Sequence, residues 1–217
     1  MKKHITVAID GNAASGKGTL AKKLAEYFNY AYLDTGKLYR AAALLIMEKG
    51  IDYKDIKKVI KVIKDYNFYN SNLKDNFLKS DEIGTLASLI SGYQELRNIL
   101  LTYQRKFAYE QHDNKLGVIL DGRDIGSVVL PEANIKFFIT ASISVRTERR
   151  WKELISLGQS TIKRHVEEDI RDRDKRDSNR KNSPLIASQD AILIDTTNLE
   201  ANEVFSLAKK HIEEYLL

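Results

Sequence analysis

The chain has 217 residues, of which 43% are hydrophobic and 30% charged, and this ordinary composition suits one sizeable globular domain. It contains no cysteine, which excludes disulfides, thiolate metal sites and a cysteine nucleophile, and which predicts a reducing compartment, the cytoplasm. The formal net charge of +5 indicates an acidic partner and leaves nucleotides, nucleic acids and anionic membranes open.

Short apolar runs alternate with longer helical patterns along the chain. We interpret as buried strands the runs at residues 5–9, 31–33, 117–120, 135–139 and 191–194. The helix candidates are residues 17–28, 36–49, 142–157 and 199–216, with a further helix-rich stretch at about 85–112. This alternation predicts an α/β fold, a parallel sheet with helices on both faces. Ligands of such sheets bind beyond the carboxyl ends of the strands.

The apolar runs are too short for a membrane protein. The longest, residues 41–47, is far below the roughly 20 residues of a membrane span. The run after the two N-terminal lysines is too short for a signal peptide and ends at an aspartate. We therefore expect no membrane partner.

Two regions depart from the alternation. Residues 66–84 are rich in Asn and aromatic residues, which favours a small antiparallel insert or a mobile cap. Residues 142–180 form a long, highly charged helical stretch, for which we expect a turn at Gly158.

The first strand runs into a glycine-rich loop and then into a helix, and the loop has the spacing of a P-loop, G-x-x-x-x-G-K. Gly11 and Gly16 allow the backbone to wrap an anion with its N–H groups pointing inward. The following helix adds its partial positive charge, and Lys17 adds a full charge for the β- and γ-phosphates. The alternative is a glycine turn without a ligand, which the strand–loop–helix context disfavours.

The residue after Lys17 departs from the strict motif. Most P-loops have a Ser or Thr there that binds magnesium, whereas this chain has Gly18 followed by Thr19. The variant GKGT resembles that of nucleoside monophosphate kinases, which implies that magnesium is held mainly by phosphate oxygens and water. Thr19 is a candidate metal ligand, but this departure from the motif weakens its assignment.

Polar residues also follow the second and third strands. Thr35, Tyr39 and Arg40 lie at the start of the second helix candidate, where Arg40 suits a phosphate or is simply a surface arginine. Asp121 ends the third strand, where an acid would approach magnesium directly or through water. Arg123 and Asp124 come next; they either neutralise each other or bind phosphate and a base N–H, respectively.

Arginines concentrate after the fourth strand, where eight of the twelve lie between residues 146 and 180. Within residues 171–180, a helix places Arg173, Arg176, Asp177 and Arg180 on one face. A solvated helix would intermix its charges evenly, so this arginine-rich face favours phosphate binding over a merely solvated surface.

Four segments together resemble bacterial cytidylate kinases (CMP/dCMP kinases): GNAASGKGT, YLDTGKLYR, ILDGRDIGSVVLPEANIKFFITAS and RDRDKRDSNRKNSPL. The resemblance runs in order over nearly the whole chain. It implies a P-loop NTPase fold with a five-stranded parallel sheet, and one kinase domain, 1–217, with an NMP-binding cap at about 66–90 and a lid at about 150–160. It also implies transfer of the γ-phosphoryl group of ATP to CMP or dCMP, with Mg2+ bound to ATP, by a monomer.

The resemblance also implies roles for individual residues. For ATP binding these are Gly11, Asn12, Ala13, Ala14, Ser15, Gly16, Lys17, Gly18, Thr19, Arg149 and Arg150. For CMP binding they are Thr35, Tyr39, Arg40, Ser88, Arg97, Arg123, Asp124, Arg173, Asp177 and Arg180, of which Ser88, Arg97 and Asp124 read the cytosine edge. The residues implied to be catalytic are Lys17, Arg123, Arg173 and Arg176, and the metal candidates are Asp121 and Thr19.

Two other functions stay open. A kinase acting on UMP or AMP would bind phosphate in the same way and differ only at the base. A P-loop protein that binds RNA or DNA would also be basic, but the basic residues here concentrate around the predicted phosphate site and form no basic tail. We therefore expect no nucleic-acid partner.

Overall fold

The computed structural model describes residues 4–68, 78 and 80–217, and these contain a five-stranded sheet. The strands are β1 (Ile5–Gly11), β2 (Ala31–Asp34), β3 (Gly117–Gly122), β4 (Ile135–Thr140) and β5 (Ile192–Asp195). They are ordered β2-β3-β1-β4-β5, and β1 pairs in parallel with both β3 and β4. The predicted strands are confirmed to within two residues at each end.

Helices fill the connections between the strands. They are α1 (Lys17–Phe28), α2 (Thr35–Glu48), α3 (Ile56–Lys64), α4 (Asp81–Ile90), α5 (Gln94–Tyr109), α6 (Ile143–Ser156), α7 (Lys163–Asn179) and α8 (Ala201–Leu216), with a short π-helical segment at Ile125–Val129. The turn expected at Gly158 lies between α6 and α7, where Gly158 has a φ of +76°. Part of the predicted cap, at residues 69–77 and 79, lies outside the described residues.

The chain divides into two compact units. The first contains the residues up to Leu33 together with Gln111–Leu217, and the second is Asp34–Glu110. In the first unit, β1 and β3 are buried along their whole length, as expected of central strands that helices cover on both faces. Their core includes Ile9, Phe137 and Ile139.

The second unit is helical and has its own core. Apolar side chains of α2, α3, α4 and α5 pack together there, among them Ile46, Ile63 and Leu96. The sequence analysis missed α3, although Val59, Ile60 and Ile63 repeat at helical spacing and are buried.

Candidate active site

The loop after β1 has the backbone geometry that its two motif glycines suggest. A Cβ atom on Gly11 would lie 2.0 Å from the carbonyl oxygen of Ile139, so only glycine fits where the loop passes β4. Gly16 has a φ of +90° immediately before α1, a conformation that disfavours other residues. The strand–loop–helix arrangement of a P-loop is therefore present.

Thr196, after β5, supports this loop. Its Oγ1 lies 3.1 Å from the carbonyl oxygens of Ser15 and Thr140. Arg149 donates to Oγ1 of Thr196 over 2.8 Å and to its carbonyl oxygen over 2.9 Å. These bonds hold the Arg149 guanidinium about 4.0 Å from where a Cβ of Gly16 would lie, so this predicted ATP ligand is beside the loop.

Arg146 joins three parts of the first unit. Its Nε donates to the carbonyl oxygen of Ala141, and its Nη1 donates to that of Ala13 in the P-loop. The same nitrogen pairs with Oδ2 of Asp174 on α7 over 2.6 Å. Arg146 is buried, so these bonds tie the loop firmly to the arginine-rich helix. By contrast, Arg150 pairs with the half-exposed Glu153.

Asp10 holds the turn after β3 against β1. Its two carboxylate oxygens accept hydrogen bonds from the backbone N–H groups of Ile125 and Gly126, over 2.8 and 2.7 Å. Burial raises the pKa of Asp10 to about 6, against the effect of these two hydrogen bonds. Asp10 was not predicted as a site residue, although a carboxylate at the end of a predicted buried strand was an available signal.

The turn that Asp10 holds carries Arg123 and Asp124. Asp124 is buried, and its carbonyl oxygen accepts from the N–H groups of Val128 and Val129. Both predicted ligands are thus fixed at the carboxyl end of β3, where the sheet geometry predicts a site.

Asp177 gathers three of the predicted phosphate-binding arginines. Its carboxylate lies 2.9 Å from Nε of Arg123, 4.0 Å from Nε of Arg173 and 3.9 Å from Nη2 of Arg180. Burial raises the pKa of Asp177, but the three guanidinium groups outweigh it and hold the pKa below its ordinary value. Arg176 lies half-buried on the same helix.

Asp121 lies against the first turn of α1. Its Oδ1 accepts a hydrogen bond from the hydroxyl of Tyr32 over 3.0 Å, and its Oδ2 lies 3.4 Å from where a Cβ of Gly18 would be. A buried carboxylate next to the P-loop suits magnesium, which prefers oxygen ligands and is commonly held by one or two carboxylates plus phosphates. Thr19, in contrast, is exposed.

Among residues 4–68, 78 and 80–217, no group of three or more His, Cys, Asp or Glu residues is close enough to hold a metal ion.

The second unit brings together three of the predicted CMP ligands. The Arg97 guanidinium lies 5.5 Å from the ring centroid of Tyr39 and donates to the carbonyl oxygen of Ser91. The Ser91 hydroxyl in turn donates to the carbonyl oxygen of Ser88 over 2.7 Å. Both Ser88 and Arg97 are buried. A buried arginine with these supports is pre-oriented for hydrogen bonding.

The other predicted residues of this unit lie on α2. Thr35 is buried at the first position of the helix. Arg40 donates to the carbonyl oxygen of Leu78 over 2.7 Å and lies close to Gly84 on α4, so it is not a freely solvated surface arginine.

The sequence and fold have known relatives. A sequence model of the family described as cytidylate kinase matches residues 7–214. A cytidylate kinase of Rhodospirillum rubrum is 43% identical over 202 residues, covering 93% of this chain and 94% of that protein. A cytidylate kinase of Acidiphilium cryptum is 39% identical over 216 residues, covering 100% and 99%.

Solved structures resemble this one at low sequence identity, which bears on the fold alone. An uncharacterized protein from Eubacterium ventriosum has a TM-score of 0.58 at 16% identity, covering 97% of this chain and 99% of that chain. A gluconokinase from Sinorhizobium meliloti has a TM-score of 0.51 at 13% identity, covering 99% and 98%. Both show that the α/β arrangement described here also occurs in solved structures. None of the helices described here is long and apolar enough to cross a membrane.

Proposed function

The chain belongs to the cytidylate kinase family, and from this premise we propose how its residues divide the work of the reaction. The enzyme is an ATP-dependent CMP kinase: it transfers the γ-phosphoryl group of ATP to CMP and releases ADP and CDP. The observation that carries the residue assignment is the convergence of Arg123, Arg173 and Arg180 on Asp177, in the same unit as the P-loop.

ATP binds at the P-loop. The backbone N–H groups of Gly11–Thr19 and the start of α1 hold its phosphates, and Lys17 neutralises the β- and γ-phosphates. Arg149 is the second cation on this side, because Thr196 holds it beside Gly16. Arg150 joins when the lid, about 150–160, closes and its pair with Glu153 exchanges for phosphate.

Asp121 is the residue that would hold Mg2+, directly or through a water molecule, with Thr19 as a further candidate. When bound with ATP, the ion neutralises charge on the phosphate oxygens. Support comes from the position of the Asp121 carboxylate beside Gly18.

The phosphate of CMP is the acceptor, and the arginines around Asp177 bind it. Three guanidinium groups around one carboxylate leave a net positive charge among these four groups, which suits a phosphate dianion. Asp177 orients the arginines and accepts from a ribose hydroxyl. Arg176 serves the transferring group, and Thr35 and Arg40 contribute further contacts to the phosphate.

Ser88, Arg97 and Asp124 read the cytosine, with Tyr39 supporting Arg97. Cytosine presents acceptors at O2 and N3 and a donor at N4, so an arginine and a carboxylate match it. Uracil presents N3–H and O4 instead and would leave these partners mismatched.

The reaction requires no general base, since the attacking phosphate oxygen is already an anion. Catalysis comes from alignment of the two nucleotides and from neutralisation of charge by Lys17 and the arginines. We propose that the cap, about 66–90, and the lid close on binding and keep water from the γ-phosphate.

A coupled ADP-release assay with CMP, dCMP, UMP and AMP tests this assignment. We expect high kcat/KM for CMP, activity with dCMP, and values at least about 10²-fold lower for UMP and AMP, because mismatched buried polar groups are costly. Comparable activity with UMP would contradict the base-reading residues.

We also propose that the protein is a cytoplasmic monomer without a nucleic-acid partner. Sedimentation with and without RNA would check the oligomeric state and the absence of RNA binding.

A further inference from the structure

We propose that Tyr32 is a positioning residue whose hydroxyl fixes the carboxylate of Asp121 beside Gly18, at the phosphate-binding loop. This inference rests on the proposed role of Asp121 toward magnesium.

The first step is the geometry of the three residues. Tyr32 lies on β2 and Asp121 near the end of β3, the neighbouring strand in the sheet. The Tyr32 hydroxyl is 3.0 Å from Oδ1 of Asp121 and 3.9 Å from where a Cβ of Gly18 would lie. The phenol oxygen is thus within van der Waals contact of a Cβ at position 18 and lies on the P-loop side of Asp121.

The second step is the chemistry of the pair. The phenol donates and the carboxylate accepts, so the bond engages Oδ1 and fixes the plane of the Asp121 carboxyl group. Oδ2 then faces the first turn of α1 beside Gly18. Tyr32 is itself held, because its ring packs against the core of the first unit. A ligand fixed in this way binds a metal ion with less loss of freedom than one that rotates.

Loss of the Tyr32 hydroxyl should have a measurable effect on metal binding. Removing a hydrogen bond that orients a metal-ligating carboxylate typically costs about 10–100-fold in metal affinity or activity. Tyr32→Phe removes only the hydroxyl and keeps the ring that packs in the core. This variant should reduce the gain in ATP affinity that Mg2+ brings, and it should leave the affinity for ATP without metal unchanged.

The experiment compares the Kd of ATP with excess Mg2+ and the Kd of ATP in EDTA, measured by titration calorimetry without CMP. For the unaltered protein we expect tighter binding with Mg2+. In Tyr32→Phe that preference should fall about 10-fold, with the Kd in EDTA unchanged. The matched control is Tyr27→Phe, since the Tyr27 hydroxyl also lies near a carboxylate, Glu213, but at an exposed site.

An unchanged preference in Tyr32→Phe, or an equal loss in Tyr27→Phe, would overturn the inference. A lack of any Mg2+ preference in the unaltered protein would instead overturn the proposed magnesium site, and this inference with it.

Discussion

Arg123 donates a hydrogen bond from Nε to Oδ2 of Asp177 over 2.9 Å and so joins the turn after β3 to the C-terminal end of α7. The two side chains are 14% and 5% exposed, so the pair is largely shielded from water. Arg173 on α7 and Arg180 immediately after this helix approach the same carboxylate. One buried acid therefore organises three cations from two distant segments of the chain.

We expect Asp177→Asn to impair both stability and CMP binding. Without the carboxylate charge, three guanidinium groups repel one another, and breaking a buried ion pair costs about 3–5 kcal/mol. Since Arg173 is 28% exposed, we expect the lower end of this range: the free energy of unfolding, measured by urea denaturation, should fall by about 3 kcal/mol. The KM for CMP should rise at least about 10-fold, the equivalent of about 1.4 kcal/mol.

The matched control for this prediction is Asp172→Asn, on an exposed position of the same helix. It should leave the free energy of unfolding and the KM for CMP within error. Equal behaviour of the two variants would contradict the role given to Asp177.

We expect Lys17→Ala to lower kcat by about 10²–10³-fold without changing the melting temperature, by analogy with loss of a preorganised oxyanion donor. Lys17 is the first residue of α1, next to Gly16 of the P-loop. The measurement is steady-state turnover of CMP together with thermal unfolding. Lys22→Ala, on an exposed position of α1, should retain full activity, and near-normal turnover of the Lys17 variant would reject the assignment.

The five strands and most helices could be predicted because their signals are local. Apolar runs such as residues 5–9 and 135–139 are bounded by polar or glycine turns, and this pattern needs no knowledge of the fold. Helix α3 has an equally local signal, the helical spacing of its apolar residues, and could have been predicted as well. The P-loop was recognisable because its glycines and lysine are contiguous.

The hydrogen bonds that hold the site together could not be predicted from local sequence patterns. Asp10 bonds to Gly126, Thr196 approaches Ser15, and Arg146 bonds to Ala13. Each pair is separated by more than a hundred residues, so the contact exists only after the sheet has formed. Arg173 and Arg180 were predicted to share one helix face with Asp177, but the approach of Arg123 to the same carboxylate, from the turn after β3, emerged only from the structure.

We expect Arg97→Ala to reduce discrimination between CMP and UMP. Arg97 is buried and stacks on Tyr39, so its guanidinium is held for a single bonding pattern. The ratio of kcat/KM values for CMP and UMP should fall at least about 10-fold, while the KM for ATP stays the same. Measuring the ratio cancels any loss of folded protein.

Arg105→Ala is the comparison for this variant, because Arg105 is exposed on the same helix, α5. It should leave the ratio unchanged. An Arg97 variant that keeps the full preference for CMP would place the base reader elsewhere.

The last prediction concerns the buried Asp10 and pH. Burial raises its pKa from 3.8 to about 6, partly offset by the backbone N–H groups of Gly126 and Ile125; the charge of Asp124 adds to the rise and that of Arg123 opposes it. The folded protein therefore binds this proton more tightly than the unfolded chain. Below about pH 4, the titration of Asp10 does not lower the free energy of unfolding. Between about pH 4 and pH 6 it lowers this free energy by about 1.4 kcal/mol for each pH unit.

Asp10→Asn removes this titration together with part of the hydrogen bonding, since the amide nitrogen faces a backbone N–H. The unfolding free energy of the variant minus that of the unaltered protein should thus be negative at pH 4 and rise by about 3 kcal/mol by pH 7. Urea denaturation at intervals of half a pH unit measures it. Because burial rather than distant charge causes the shift, 1 M NaCl should leave the rise largely intact. A difference that is independent of pH would show that the pKa of Asp10 is the same in the folded and unfolded states.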